Sequence, residues 1–165
     1  VAQGFEPGAE LGPLINAAAR EKVERLVAEA VDRGARVRCG GERLPGPGYF
    51  YPPTVLVDVT QQMRVCREEI FGPVVVVQPF ETEDEAVRLA DDSPYGLNAM
   101  VFTESLRRGH RVAARLRAGT IWVNCFFVRD LRAPFGGYKD SGIGREGGRY
   151  SREFFTEPKA VVMEI

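Results

Sequence analysis

Across residues 16–33 the apolar positions recur with helical spacing. Val23, Leu26, Val27, Ala30 and Val31 fall at i, i+3, i+4, i+7 and i+8, one stripe, while Glu21/Arg25 and Glu29/Arg33 pair on the opposite side. Asn16 suits the N-cap, and Gly34 the stop. A short strand at 35–38 leads into a turn-rich stretch holding Gly40, Gly41, Pro45, Gly46, Pro47 and Gly48. Residues 54–59 and 74–80 are β-rich, and the second run is apolar enough for a strand buried on both faces. Thr82-Glu83-Asp84-Glu85 reads as a capping box opening a helix through about Asp91, and Ser93-Pro94-Tyr95-Gly96 ends it. A strand at 97–102, a helix at 104–117 and a strand at 119–124 follow. This alternation predicts an α/β fold built on a parallel sheet with flanking helices. Residues 125–148 read as a long glycine-rich loop, a length that points to function. A last strand is predicted at 160–165.

Composition narrows the classes. The chain has 165 residues, 44% hydrophobic and 27% charged, as expected of one globular domain. A net charge of -1 gives no global pull toward nucleic acid or membrane. Arginine far outnumbers lysine (Lys22, Lys139 and Lys159), but the arginines are scattered among acids. Cys39, Cys66 and Cys125 lie far apart, and His110 is the sole histidine, so a Cys/His zinc site is excluded and no metal is expected. The absence of a disulfide framework favours a reducing, cytoplasmic setting. No run approaches a membrane span. The first residues carry no signal sequence and no initiator Met, which reads as a piece of something longer.

Gly142-Ile143-Gly144-Arg145-Glu146-Gly147 matches GxGxxG literally. A phosphate cradle of that kind needs a strand directly before it, a helix directly after, and an acid about 20 residues on. Residues 134–141 do not read as a strand, and too little chain follows Gly147. A tight loop requiring positive φ is the better account.

Two stretches carry more information: Glu68-Glu69-Ile70-Phe71-Gly72-Pro73-Val74, and Gly119-Thr120-Ile121-Trp122-Val123-Asn124 followed by Pro134-Phe135-Gly136-Gly137-Tyr138-Lys139-Asp140-Ser141-Gly142. With Gly12-Pro13-Leu14-Ile15, Tyr49-Phe50 before Pro53-Thr54-Val55, and Tyr95-Gly96-Leu97, they resemble the NAD(P)-dependent aldehyde dehydrogenase superfamily from about Glu10 onward. The resemblance implies that residues 1–156 are the later half of the catalytic domain and 157–165 an oligomerisation strand joining subunits into a homo-oligomer. It further implies an enzyme in which a cysteine thiolate attacks the aldehyde, hydride passes to NAD or NADP, and water releases the acid.

On the same basis Glu69 is the acceptor for the nicotinamide ribose hydroxyls, and Phe71 an aromatic beside the nicotinamide. A solvated carboxylate and a core Phe are the alternatives. Lys22 matches a lysine placed near the adenosine ribose in some relatives, although an exposed helix face would leave it solvated. Cys125 to Arg132 occupies the position of the substrate channel and looks most like the branch oxidising hydroxymuconate-type semialdehydes. There Arg129 or Arg132 would grip a substrate carboxylate and Phe135 would line the channel. The alternatives are an ion pair of either arginine with Asp130 and turn packing of Phe135 after Pro134. None of the three cysteines lies in a family-like nucleophile loop, so no catalytic residue is assigned and the chain alone is expected to be inactive. A non-catalytic α/β module acting by association is the competing reading.

Overall fold

The first helix forms where its stripe and cap predict. In the computed structural model, which describes all 165 residues, α1 spans Ala17–Asp32, and Asn16 Oδ1 accepts a hydrogen bond from the Ala19 N–H at 2.8 Å. Val23, Leu26, Val27 and Ala30 are buried on one face. The chain leaves the helix through Gly34 at φ 100°, a conformation that costs glycine little. Three strands follow: β1 (Arg36–Cys39), β2 (Thr54–Val57) and β3 (Val74–Val76). β1 runs antiparallel to β2 with a register shift between Val37 and Cys39, and β2 runs parallel to β3 with Thr54 opposite Val74. The α1 stripe packs into one core with Tyr51, Leu56, Val59, Met63 and Val65, each large apolar side chain contributing about 1.5–3 kcal/mol on burial. Two polar side chains buried there, Tyr51 and Thr54, are hydrogen-bonded. Tyr51 OH donates to Gly41 O at 2.8 Å, and buried Thr54 Oγ1 accepts from Gly41 N–H at 2.9 Å and donates to Pro52 O at 3.0 Å. Helix α2, a single turn at Arg64–Arg67, buries Val65 in the same core.

Residues 81–165 form a second compact unit beside Val1–Phe80 in the chain order, a division inside the stretch that the sequence treats as one domain. Helix α3 (Glu83–Asp91) is capped by Thr82, whose Oγ1 accepts from Glu85 N–H at 3.1 Å. The Glu85 carboxylate reaches back one residue further than a capping box requires and accepts from Glu81 N–H at 2.9 Å. β4 (Tyr95–Gly96), β5 (Asn98–Val101), α4 (Leu106–Arg115), β6 (Thr120–Val123), β7 (Tyr138–Lys139) and α5 (Gly148–Phe155) complete the order. β5 and β6 are parallel with Asn98 opposite Thr120, and β4 and β7 are antiparallel. Glu83 fastens α3 to α4 by a two-point contact with Arg111 (2.7 and 2.6 Å) and ion pairs to Arg108 and Arg115. The hydrogen bonds from Arg111 hold the Glu83 carboxyl below the usual carboxylate range.

Four expectations change. The strands make three small sheets, and only β2–β3 and β5–β6 are parallel. β3 is not buried on both faces and ends at Val76: Val75 is 54% exposed and Val77 49%. α5 arises where no helix is predicted. It begins on Gly147 and Gly148, has no buried stripe, and draws its start from Gly147 N–H donating to Ser151 Oγ at 2.8 Å. The strand expected at 160–165 does not form in the single chain, where nothing supplies a ladder and Val161, Val162, Met163 and Ile165 stand exposed. No helix is long and apolar enough to cross a membrane.

Glycine is required where backbones meet. A Cβ on Gly119 would lie 1.6 Å from Gly136 O, and on Gly96 2.4 Å from Arg117 O. Gly119→Ala is therefore expected to cost about 3 kcal/mol or more in urea unfolding. Gly12→Ala, which meets nothing within 4 Å, should stay close to the parent. Equal midpoints for the two variants would remove the close approach from the account.

Candidate functional site

The segment Glu68 to Pro73 leaves α2 and is tied to α1 at successive points. Lys22 Nζ donates to the Glu69 carbonyl oxygen, so this lysine is not the solvated side chain that its helix position suggests. A Cβ on Gly72 would meet Val23 Cγ2 at 2.5 Å, so only glycine lets the chain lie this close to the helix. Arg64 takes Glu68 in a two-point grip, Nη2 to Oε2 at 2.9 Å and Nε to Oε1, and reaches Glu29 on α1 with Nη1 at 3.0 Å. With its carbonyl held, Glu69 leaves its carboxylate exposed and free of any ion pair. Phe71 is 79% exposed and sits at φ 56°. A bulky side chain in that region costs on the order of 1–3 kcal/mol. Within this chain the ring packs into no core. The arrangement presents two open carboxylate oxygens and, two residues on, an open aromatic face.

In the second unit the chain after β6 turns at Asn124, φ 55°, whose side chain accepts from Thr103 N–H and donates to Thr103 O, both at 2.8 Å. Trp122 Nε1 donates to Val128 O at 2.9 Å, and Phe126 and Phe127 gather about the indole with centroids 6.0 Å away. A cavity of about 350 Å³ opens beside this cluster, lined by Trp122, Val128, Arg129, Phe135, Gly147 and Ser151 among others. The two arginines part company here. Arg132 is 89% exposed and closes on Asp130, Nη2 to Oδ2 at 2.6 Å and Nε to Oδ1 at 2.9 Å; these bonds lower the Asp130 carboxyl below its usual range. Arg129 lines the cavity, with its guanidinium 4.9 Å from the Phe135 ring centroid and 5.9 Å from that of Phe127, and it makes no salt bridge. Phe135 is fixed by paired backbone bonds with Glu146, each 2.8 Å.

The GxGxxG segment does have a helix after it, α5, but only the two-residue β7 before it. Its Gly147 serves packing, since a Cβ there would lie 2.3 Å from Ala133 O. Lys139, at φ 53°, donates to the carbonyls of Asp91 and Ser93 at 2.9 and 3.1 Å and so closes the end of α3. Burial pushes the Cys66 thiol up, away from thiolate. Cys39 makes only a weak contact to Pro53 O at 3.7 Å. The pair Arg64–Glu68 lies at helical i,i+4 spacing, whereas the contact of Arg64 with Glu29, 35 residues away, leaves no mark in any local pattern.

Comparison with known proteins bears on both halves. The model of the aldehyde dehydrogenase family matches residues 1–161. A betaine aldehyde dehydrogenase of Cereibacter sphaeroides is 47% identical over 95% of this chain and 32% of its own length. A 2-hydroxymuconic semialdehyde dehydrogenase of Pseudomonas putida is 46% identical over 97% of this chain and 34% of its own. An NAD+ complex of aldehyde dehydrogenase from Bacillus cereus superposes with a TM-score of 0.89 at 47% identity, covering 93% of this chain and 31% of that one. The chain thus spans about a third of the length of the relatives it matches. It belongs to the aldehyde dehydrogenase family, an enzyme family that uses NAD(P).

Proposed function

We propose that these residues serve an NAD(P)-dependent oxidation of a carboxylate-bearing semialdehyde, of the hydroxymuconate type, to the acid. In this reading residues 1–156 are part of the catalytic domain and 157–165 form a strand that joins subunits. Glu69 accepts hydrogen bonds from the nicotinamide ribose hydroxyls. Its fit rests on two open carboxylate oxygens, the number a vicinal diol requires. Phe71 lies beside the nicotinamide, where its exposed ring limits the positions open to the cofactor. A nicotinamide bound there supplies the hydride acceptor. Glu69 orients it, and orientation of this kind supplies much of the lowering of the barrier. The nucleophilic thiol comes from outside these 165 residues, since nothing visible activates Cys39, Cys66 or Cys125.

The substrate charge follows from Arg129, the observation that carries the reading. It lines the cavity, stacks on Phe127 and Phe135, and has no carboxylate of its own. A guanidinium so placed suits a carboxylate on the aldehyde's far end. The quaternary ammonium of betaine aldehyde would need those aromatic faces free of a resident cation. Arg132, already closed on Asp130, is the lesser candidate. In the complete enzyme Arg129→Ala is expected to lower kcat/KM for a carboxylate-bearing semialdehyde by the equivalent of about 2–5 kcal/mol. An uncharged aldehyde of similar length should be far less affected. Equal losses on both, or a parent enzyme that prefers betaine aldehyde, would overturn the carboxylate assignment.

The exposed apolar side chains of Val161, Val162, Met163 and Ile165 support pairing with a second copy. The isolated 165 residues should therefore sediment above the 18.3 kDa of one chain and oxidise no aldehyde. An active monomer would sink both expectations.

A further inference from the structure

The loop that carries Glu69 has little to hold it in place from within. α2 is one turn of four residues, too short to persist on its own. Between its end and β3 a strand bond forms at Pro73, whose carbonyl accepts from Thr54 N–H at 2.8 Å, while Phe71 two residues earlier stays in a left-handed conformation. Besides that bond and the packing of Ile70 against the core, the segment is held from α1. Lys22 and Glu29 lie seven positions apart on that helix, two turns, and so on one side of it. The cation at one end holds the Glu69 carbonyl, and the anion at the other holds Arg64. Arg64 meanwhile grips Glu68, the residue before Glu69, with two donors of one planar fork. The grip also keeps the Glu68 carboxyl below its usual range, with Lys22 and Arg25 adding to the field. A lysine could span neither carboxylate in this way, because it lacks the fork.

We propose that Arg64 is a positioning residue for cofactor binding: by bridging Glu29 on α1 to Glu68, it fixes the place of Glu69 without touching the cofactor. The inference rests on the reading of Glu69 as the ribose acceptor. It assigns the two neighbouring glutamates different duties, Glu68 facing the helix and Glu69 the cofactor.

The test is a double-variant comparison in the aldehyde dehydrogenase that contains this chain, with steady-state constants for NAD(P) and for aldehyde. Arg64→Met should raise the KM for NAD(P) about fivefold, the scale of a partly exposed ion-pair network. The kcat at saturating cofactor should fall as well, because Glu69 also orients the nicotinamide, while the KM for aldehyde should stay near the parent value. Arg64→Lys should recover only part of the loss. In a Glu69→Gln background Arg64→Met should add nothing, since its effect passes through Glu69. Glu68→Gln keeps the side-chain shape and serves the same comparison if Arg64→Met does not fold. A fivefold loss that persists in the Glu69→Gln background, or no loss at all, overturns the positioning role and leaves the ribose contact standing. A Glu69→Gln enzyme with the parent KM for NAD(P) takes down the ribose contact itself, without reference to Arg64.

Discussion

The stripe on α1 sets the rest of the first unit. Val23, Leu26, Val27 and Ala30 bury against Tyr51, Leu56, Met63 and Val65, so the helix and its sheet have one relative placement. Val23 also occupies the space that a side chain at position 72 would need. Packing thus does two jobs at once. It forms the core, and it decides how closely the Glu68 to Pro73 segment approaches. The polar contacts from Lys22 and Arg64 then act on a segment already brought within reach. In order of dependence, the apolar stripe comes first and the charged contacts second, because exposed ion pairs alone contribute about 0–1 kcal/mol each.

Much of this was legible in the residues, and the failures have physical causes. α1 and α3 follow from periodicity and capping, and the strands β5 and β6, though not their pairing, from their β-rich runs, all of them local signals. The arrangement of strands into three sheets is not local, since pairing partners leave no mark on spacing. α5 was invisible because its signals are weak: two glycines where a cap should stand, and no buried stripe. The final strand was read from composition that suits a strand, but a strand exists only with a neighbour.

Site residues divide in the same way. Motifs point to Glu69, Phe71 and Phe135, and the structure gives each a setting: an open carboxylate, an exposed ring at positive φ, and a ring pinned by a backbone bridge. Sequence left Arg129 and Arg132 equivalent. Asp130 separates them, because Arg132 returns to its near neighbour and Arg129 turns to the rings. Helix periodicity places Lys22 on the wet face, because it reports which face is solvated. It does not report that another segment's carbonyl lies over that face.

Arg129 has a consequence for the entropy of recognition. A free arginine gives up on the order of 2 kcal/mol of rotamer freedom when a ligand fixes it. Between Phe127 and Phe135 that freedom is already restricted before anything arrives. Part of the ordering is therefore done during folding, and in its proposed role the guanidinium would meet a carboxylate in a narrow range of poses. Such a residue discriminates by direction as well as by charge. An anion entering at the wrong angle gains little from it, because the guanidinium would have to leave its rings to follow.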